Sequence, residues 1–497
     1  MVALNRKRRS SNEPLVRPEG AVRISKKARH SSTLASIRAS RLPTINSVPE
    51  AKTEKLDVFV WGTGSMCELG LGPAASTKEV KRPRLNPLLK KEDVGIVDFA
   101  AGGMHTLALD HNNQVWSWGT NDSGVLGRDT SNATSEKLKD MDAADSDDED
   151  GDLNELESTP GLVQGLPSDL KIVQLAATDN LSAVLLENGE VYAWGTFRCN
   201  EGLLGFQDGI LIQRTPKKIE GFENVSQLAS GKDHVLGLDT KGIVYAWGNG
   251  QQFQLGRKIV ERTRMTSLEP RSFGLKNVKF IGSGEFHSFA ITTDGKVLAW
   301  GLNQYGQCGV AAEIEDEAVL QKPTEIEALT GKDIVYITGG EHHSIALSSS
   351  GEVYTFGRYD MKEVGIPKDK LPEYTFKDQH GNPRSIPVPT KLDSLPPVKT
   401  VAAGSHHSLA VTTDGIVFAW GFGDTYAVGL GNLDEDVEKP TRINNTATRD
   451  HNIVSVGAGG QFSISAGVKL DEDASEDRTE KIEEFEEELE SKTANGH

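Results

Sequence analysis

Cysteine is scarce. Cys67, Cys199 and Cys308 are the only three among 497 residues, too few and too far apart for a disulfide framework or a paired metal site, which fits a reducing compartment. Long apolar runs are missing too. No stretch approaches the ~20 apolar residues of a membrane span, and the basic N-terminus lacks the hydrophobic segment of a secretion signal. These absences point to a soluble intracellular chain with no membrane partner. Catalytic signatures are equally thin: there is no GxxxxGK[ST] phosphate loop, and no Ser/His/Asp or Cys/His set stands out. Carboxylate pairs are confined to acidic segments, where solvation explains them, so hydrolase and transferase chemistry is disfavoured.

Charge is plentiful but divided. The formal net charge is −18, yet residues 1–41 hold eleven Lys or Arg against Glu13 and Glu19. Residues 129–160 hold twelve acids against Lys137 and Lys139, and residues 469–497 hold twelve acids against four bases. The first acidic segment contains "DSDDEDGD" and reads as a solvated, mobile loop; the second reads as a disordered tail. A solubilising role accounts for both. In the basic tail, "RKRR" (Arg6, Lys7, Arg8, Arg9) and "KKAR" (Lys26, Lys27, Arg29) stand sixteen residues apart. That layout suits a bipartite nuclear localisation signal read by an import receptor, and it also suits DNA phosphates.

Glycine, at 51 residues, is about twice its usual share and follows a repeat. "VSQLASGKDHVLGLDTKGIVYAWG" from Val225 returns as "VKFIGSGEFHSFAITTDGKVLAWG" from Val278 and in further copies, with steps of 53 to 76 residues between "WG"-type glycines. Alternation of apolar and polar residues, with "KG" or "DG" between the runs, predicts short antiparallel strands. "DVFVWGTG" from Asp57 lacks a first half, and "IVSVGAGGQFSISAG" from Ile453 lacks a second half. Joined, they make a seventh unit. The prediction is an all-β, seven-bladed β-propeller over residues 56–468, its terminal strands sharing one blade, with tails at 1–55 and 469–497 and an acidic insertion at 129–160.

Two columns of the repeat behave differently. The histidines His105, His234, His287, His343 and His407, with Leu181 and Phe462 in the other copies, are spread one per blade. They cannot converge on one metal ion and read as buried hydrogen-bonding groups. The preceding column varies freely: Met104, Asn180, Asp233, Phe286, His342, His406, Gln461. Such variation predicts exposed positions on one face, where propellers carry function, and makes Asp233, His342 and His406 candidates together with Asp179. One spacing is broken as well. Six copies place two framing glycines eight positions apart, whereas Gly195 and Gly205 are ten apart.

The unit "A-x-G-x-x-H-S/T-x-A-L … G-x-V-x-x-W-G … G-x-x-x-L-G" resembles the repeat of the regulator of chromosome condensation family over roughly residues 56–468. The basic tail and the interrupted third copy are similar to members of the Ran guanine-nucleotide exchange factor type, fungal ones in particular. That resemblance implies a wedge over Thr196–Gln207, with Phe197, Arg198, Asn200, Glu201, Gly202 and Leu203 meeting the GTPase. It also implies contacts from Asp179, Asp233 and His342, which His406 joins as a polar neighbour. Arg262 and Arg264, in the basic stretch after Gly256, match the place of a nucleosome-contacting loop; a basic surface loop without a partner is the alternative. Expected partners are Ran, nucleosomes or histones with DNA, and an import receptor, at chromatin in the nucleus. No covalent chemistry and no cofactor or metal of its own are implied, since GDP, GTP and Mg²⁺ belong to the GTPase. Two details depart from the family: Gly306 stands where a histidine is expected, and "MVALNRK" lacks the N-terminal methylation motif. The rival reading is an adaptor or chromatin-binding scaffold without exchange activity.

Overall fold

The computed structural model describes residues 43–131, 153–311, 318–433, 435–471, 473–474 and 478. Each repeat folds into one antiparallel blade. In the fifth, strands Val278–Ser283, His287–Thr292, Val297–Leu302 and Val319–Glu325 run from the axis outward. All six residues of the second strand are buried, because neighbouring blades cover both of its faces. Seven such blades occur among the described residues, and we number them by their "WG"-type sites. Blade 1 is the shared one, with strand order Glu79–Leu85, Asp57–Thr63, Phe462–Lys469, His451–Ala458. Blades 2 to 7 begin at Ile96, Ile172, Val225, Val278, Ile334 and Val398. Trp61 pairs with Ser463 in blade 1, so the ring closes as the circular offset of the copies predicts.

Blades are fastened to each other by the histidine column. The Nε2 atoms of His105, His234, His287, His343 and His407 lie 2.8–2.9 Å from Ser182, Ser288, Ser344, Ser408 and Ser463 of the following blade. Those hydroxyls donate their one proton to the carbonyls of Val125, Gln254, Gln307, Glu363 and Ala427. The imidazole Nε2 must therefore be the donor. Four tryptophans, Trp194, Trp300, Trp420 and Trp61, donate from Nε1 to the same carbonyls of Val125, Gln254, Glu363 and Ala427. Each loop carbonyl thus staples two blades, and the histidines are structural.

Two boundaries differ from the sequence reading. Residues 44–55 are not tail. Ile45 and Asn46 donate backbone N–H bonds to Thr240 O, and the Asn46 amide bonds Asp239 O and Val278 O. Two backbone N–H groups and one side-chain amide, with no periodic pattern in the sequence, hold this strap to the ring. Likewise, residues 153–160 of the acidic insertion are packed. Asn154 caps the helical turn Glu155–Ser158, and Arg128 donates to the carbonyls of Leu156 (2.7 Å) and Thr159 (3.1 Å). The localisation residues Arg6, Lys7, Arg8, Arg9, Lys26, Lys27 and Arg29, the run at 132–152 and most of the acidic tail lie outside the described residues.

Candidate functional site

Turns between first and second strands emerge at the same end of the ring as loops between third and fourth strands, since each strand reverses the last. At that end an axial channel of about 300 Å³ opens. Backbone bonds tie consecutive blades around it: Asp179 N–H to Lys232 O (3.0 Å), Lys232 to Glu285 O (3.1 Å), Glu341 to Ser405 O (3.2 Å). Lys232 Nζ lies 3.0 Å from Glu285 and 3.6 Å from Asp179. Burial, then the Glu285 carboxylate, pushes the Asp179 carboxyl above its ordinary range against the pull of Lys232.

The broken spacing is a hairpin. Strand Phe197–Cys199 pairs with Gly202–Gly205, and Gly202 turns at φ +116°. The structure corrects the equivalence of Gly205 to the other framing glycines. Those have φ of +61° to +69°. A Cβ on Gly70, Gly365 or Gly429 would strike the indole of Trp118, Trp420 or Trp61 at 2.7 Å. Gly205 has φ +112° and approaches no such ring. The loop is therefore rebuilt rather than lengthened, and it supplies no staple carbonyl. The sequence records this loss elsewhere: the histidine position holds Leu181 in blade 3, and the serine position holds Val235 in blade 4, both within one apolar cluster.

The root of the hairpin is buried and its tip is exposed. Phe197 covers Gly248, whose added Cβ would meet the ring at 2.8 Å. Arg198, Asn200, Glu201 and Leu203 face solvent. Asp233 Oδ1 accepts the Arg198 N–H (2.9 Å) and the Asn180 amide (3.3 Å). Burial raises the Asp233 pKa, and the Arg198 N–H opposes this. Across the axis, His342 stacks on Tyr305 with centroids 4.9 Å apart, its Nε2 3.1 Å from the Gln304 amide. The Nδ1 of His406 accepts from Arg358 (2.8 Å), so its Nε2–H faces Glu341 at 3.5 Å. Burial lowers the pKa of both imidazoles, and Arg358 adds to this at His406.

The hairpin, Asp179, Asp233, His342 and His406 therefore share one end of the propeller. The variable column is less exposed than its variation predicts. Met104 and Gln461 are exposed, whereas Asn180, Asp233, Phe286, His342 and His406 are half-buried, several of them by bonds across blades. Lys232, Glu285 and Glu341 were missed, although they occupy the same column as Asp179; Tyr305 and Arg358 gave no repeat signal.

The sequence pattern of the RCC1-like domain matches residues 57–465, which span all seven blades and the hairpin. The chain belongs to the RCC1-like domain family. Guanine nucleotide exchange factor SRM1 of Saccharomyces cerevisiae is 61% identical over 438 residues, covering 86% of this chain and 91% of that protein. The crystal structure of Prp20p from the same yeast, described with its binding to Gsp1p and histones, superimposes with a TM-score of 0.81 at 56% identity, covering 88% of this chain and 97% of that one. Yeast RCC1 (Prp20) bound to Kap60 matches with a TM-score of 0.81 at 53% identity, covering 96% of this chain and 100% of that one.

The basic stretch of this RCC1-like chain divides at the site. Arg262 is exposed on the 3₁₀ helix Glu261–Leu268. Arg264 is half-buried and turned to the hairpin, with Nη1 3.3 Å from Glu201 and 3.5 Å from Glu261. Among the described residues, no helix is long and apolar enough to cross a membrane.

Proposed function

We propose that this chain is a guanine-nucleotide exchange factor for a Ran-type small GTPase, acting at chromatin in the nucleus. The observation that carries the reading is the hairpin with a buried root and an exposed tip, projecting from the face that holds Asp179, His342 and His406. The exchange-factor name of the yeast relative supports the activity. The histone binding described for Prp20p, and its complex with Kap60, support the chromatin and import-receptor contacts. Arg262, exposed on its 3₁₀ helix, is the arginine of this stretch placed to meet an acidic histone surface, with the exposed Lys258 near it in sequence.

Exchange requires no nucleophile and no cofactor from this chain; the nucleotide and Mg²⁺ are carried by the GTPase. A factor that binds the nucleotide-free GTPase best must weaken nucleotide binding by the same factor, by linkage. A ~10⁵-fold faster release corresponds to a barrier lowered by ~7 kcal/mol. The hairpin's role is to push on the phosphate-binding loop, whose N–H groups and bound Mg²⁺ hold the phosphates. A rigid root matters here, because a wedge that yields transmits no displacement.

The test is release of a fluorescent GDP analogue from Ran under excess GTP. Wild type accelerates the decay, and the triple variant Arg198→Ala, Asn200→Ala, Leu203→Ala is expected to lose ~100-fold or more in rate. No acceleration by the wild type would sink this reading and leave a propeller scaffold. Equal rates in both proteins would keep exchange and remove the hairpin from it.

A further inference from the structure

A hairpin of two short strands is marginally stable alone in water. This one has also given up the staple that fixes the corresponding loop elsewhere: Leu181 and Val235 carry no polar group, and Gly205 abuts no tryptophan. Something else must hold the tip. Both turn residues are tied to blade 4. Gln251 Oε1 accepts the Asn200 N–H at 3.0 Å, and Gln251 Nε2 donates to both Glu201 carboxylate oxygens at 3.0 Å. Arg264 Nη1 completes the set on Glu201 Oε2 at 3.3 Å. Gln251 is itself placed by its backbone N–H, which donates to the buried Asn249 side chain (2.9 Å). Beneath, Leu268 packs in the same apolar cluster as Phe197 and Leu204.

We propose that Gln251 and Arg264 are positioning residues for nucleotide exchange, holding the wedge through Asn200 and Glu201 in the pose that enters the GTPase. This rests on the exchange reading above. The tie is solvent-exposed, so its contribution to global stability is small. Its effect is on the fraction of molecules with a competent wedge, which scales the rate once the GTPase is docked. Docking through Asp179, His342 and His406 uses side chains that Gln251 and Arg264 do not bond, and is left intact. A loosened tip therefore lowers kcat and leaves KM nearly unchanged.

The experiment compares wild type, Gln251→Ala with Arg264→Ala, and Gln251→Ala with Arg264→Lys, in exchange kinetics, thermal melting and hydrogen–deuterium exchange of the free protein. The double-alanine variant is expected to lose ~10-fold in kcat, with KM within ~2-fold and an unchanged Tm. Its amides at 200–203 should exchange faster. The lysine variant, which keeps the charge on Glu201, should recover most of the rate. Unchanged kcat in the double-alanine variant overturns the proposal. So does a loss that tracks a fall in Tm and is not recovered by lysine. Should wild type itself fail to exchange nucleotide, the functional reading falls, and amide protection at 200–203 still decides whether the tie holds the tip.

Discussion

At the scale of single residues, the histidine staples have a cost that acid reveals. Burial pushes His105, His234, His287 and His407 down to about 3 from the ordinary 6.5, and lowers His343 likewise. Their folded pKa lies below the unfolded one, so this stability is full above pH 6.5 and is lost as pH falls toward 3. Each group contributes a slope of at most ~1.4 kcal/mol per pH unit. Tm should therefore fall steeply between pH 6.5 and 4.5. The molecule also contains its own control, since Leu181 and Val235 show that an apolar pair fits the site. His234→Leu with Ser288→Val leaves the Gln254 carbonyl its bond from Trp300. Melting of that variant across the same pH range should be shallower by one histidine's share; an unchanged slope would show that His234 titrates normally.

Among elements, the hairpin owes its position to a glycine outside it. Gly248 has φ +111°, and an added Cβ would lie 2.5 Å from Asp233 O and 2.8 Å from the Phe197 ring. Gly301 is matched in strain, with φ +107° and the Phe286 carbonyl at 2.6 Å, but no hairpin covers it. Gly248→Ala and Gly301→Ala should both destabilise by about 1–3 kcal/mol, and only the former should also slow exchange. Equal exchange rates at equal Tm would separate the wedge from Gly248. The pairing also shows how far the sequence speaks. Strand alternation, hairpin turns and the offset ends were legible because period and turn chemistry are local. The hairpin was legible as a spacing anomaly, and its missing staple was written in Leu181 and Val235, fifty-odd residues apart, where no local pattern connects them. The hold of Gln251 on Asn200 comes from one side-chain amide, and that of Ile45 and Asn46 on the ring from the Asn46 side-chain amide and two backbone N–H groups. Such contacts follow from the fold and leave no periodic trace. Arg264 shows the same limit, since its place in a basic run said nothing of the Glu201 beside it.

For the whole molecule, the blades form a circle in which each depends on its neighbour, and blade 1 depends on both halves of the chain. Until Phe462–Lys469 arrives, Asp57–Thr63 offers an unpaired edge on one side. A variant ending at Gly460 should lose its cooperative melting transition; retention of that transition would mean the ring holds without its closing strands. Bringing Trp61 to Ser463 closes a loop of about 400 residues, whose entropic cost grows only with the logarithm of its length. In synthesis this orders events. The hairpin of blade 3 is translated well before the strand that seals blade 1, so a chain that stops early carries it on an open arc with an unpaired strand edge. The strand Phe462–Lys469 thus turns an open arc into a closed ring, and every blade made before it waits on that one pairing.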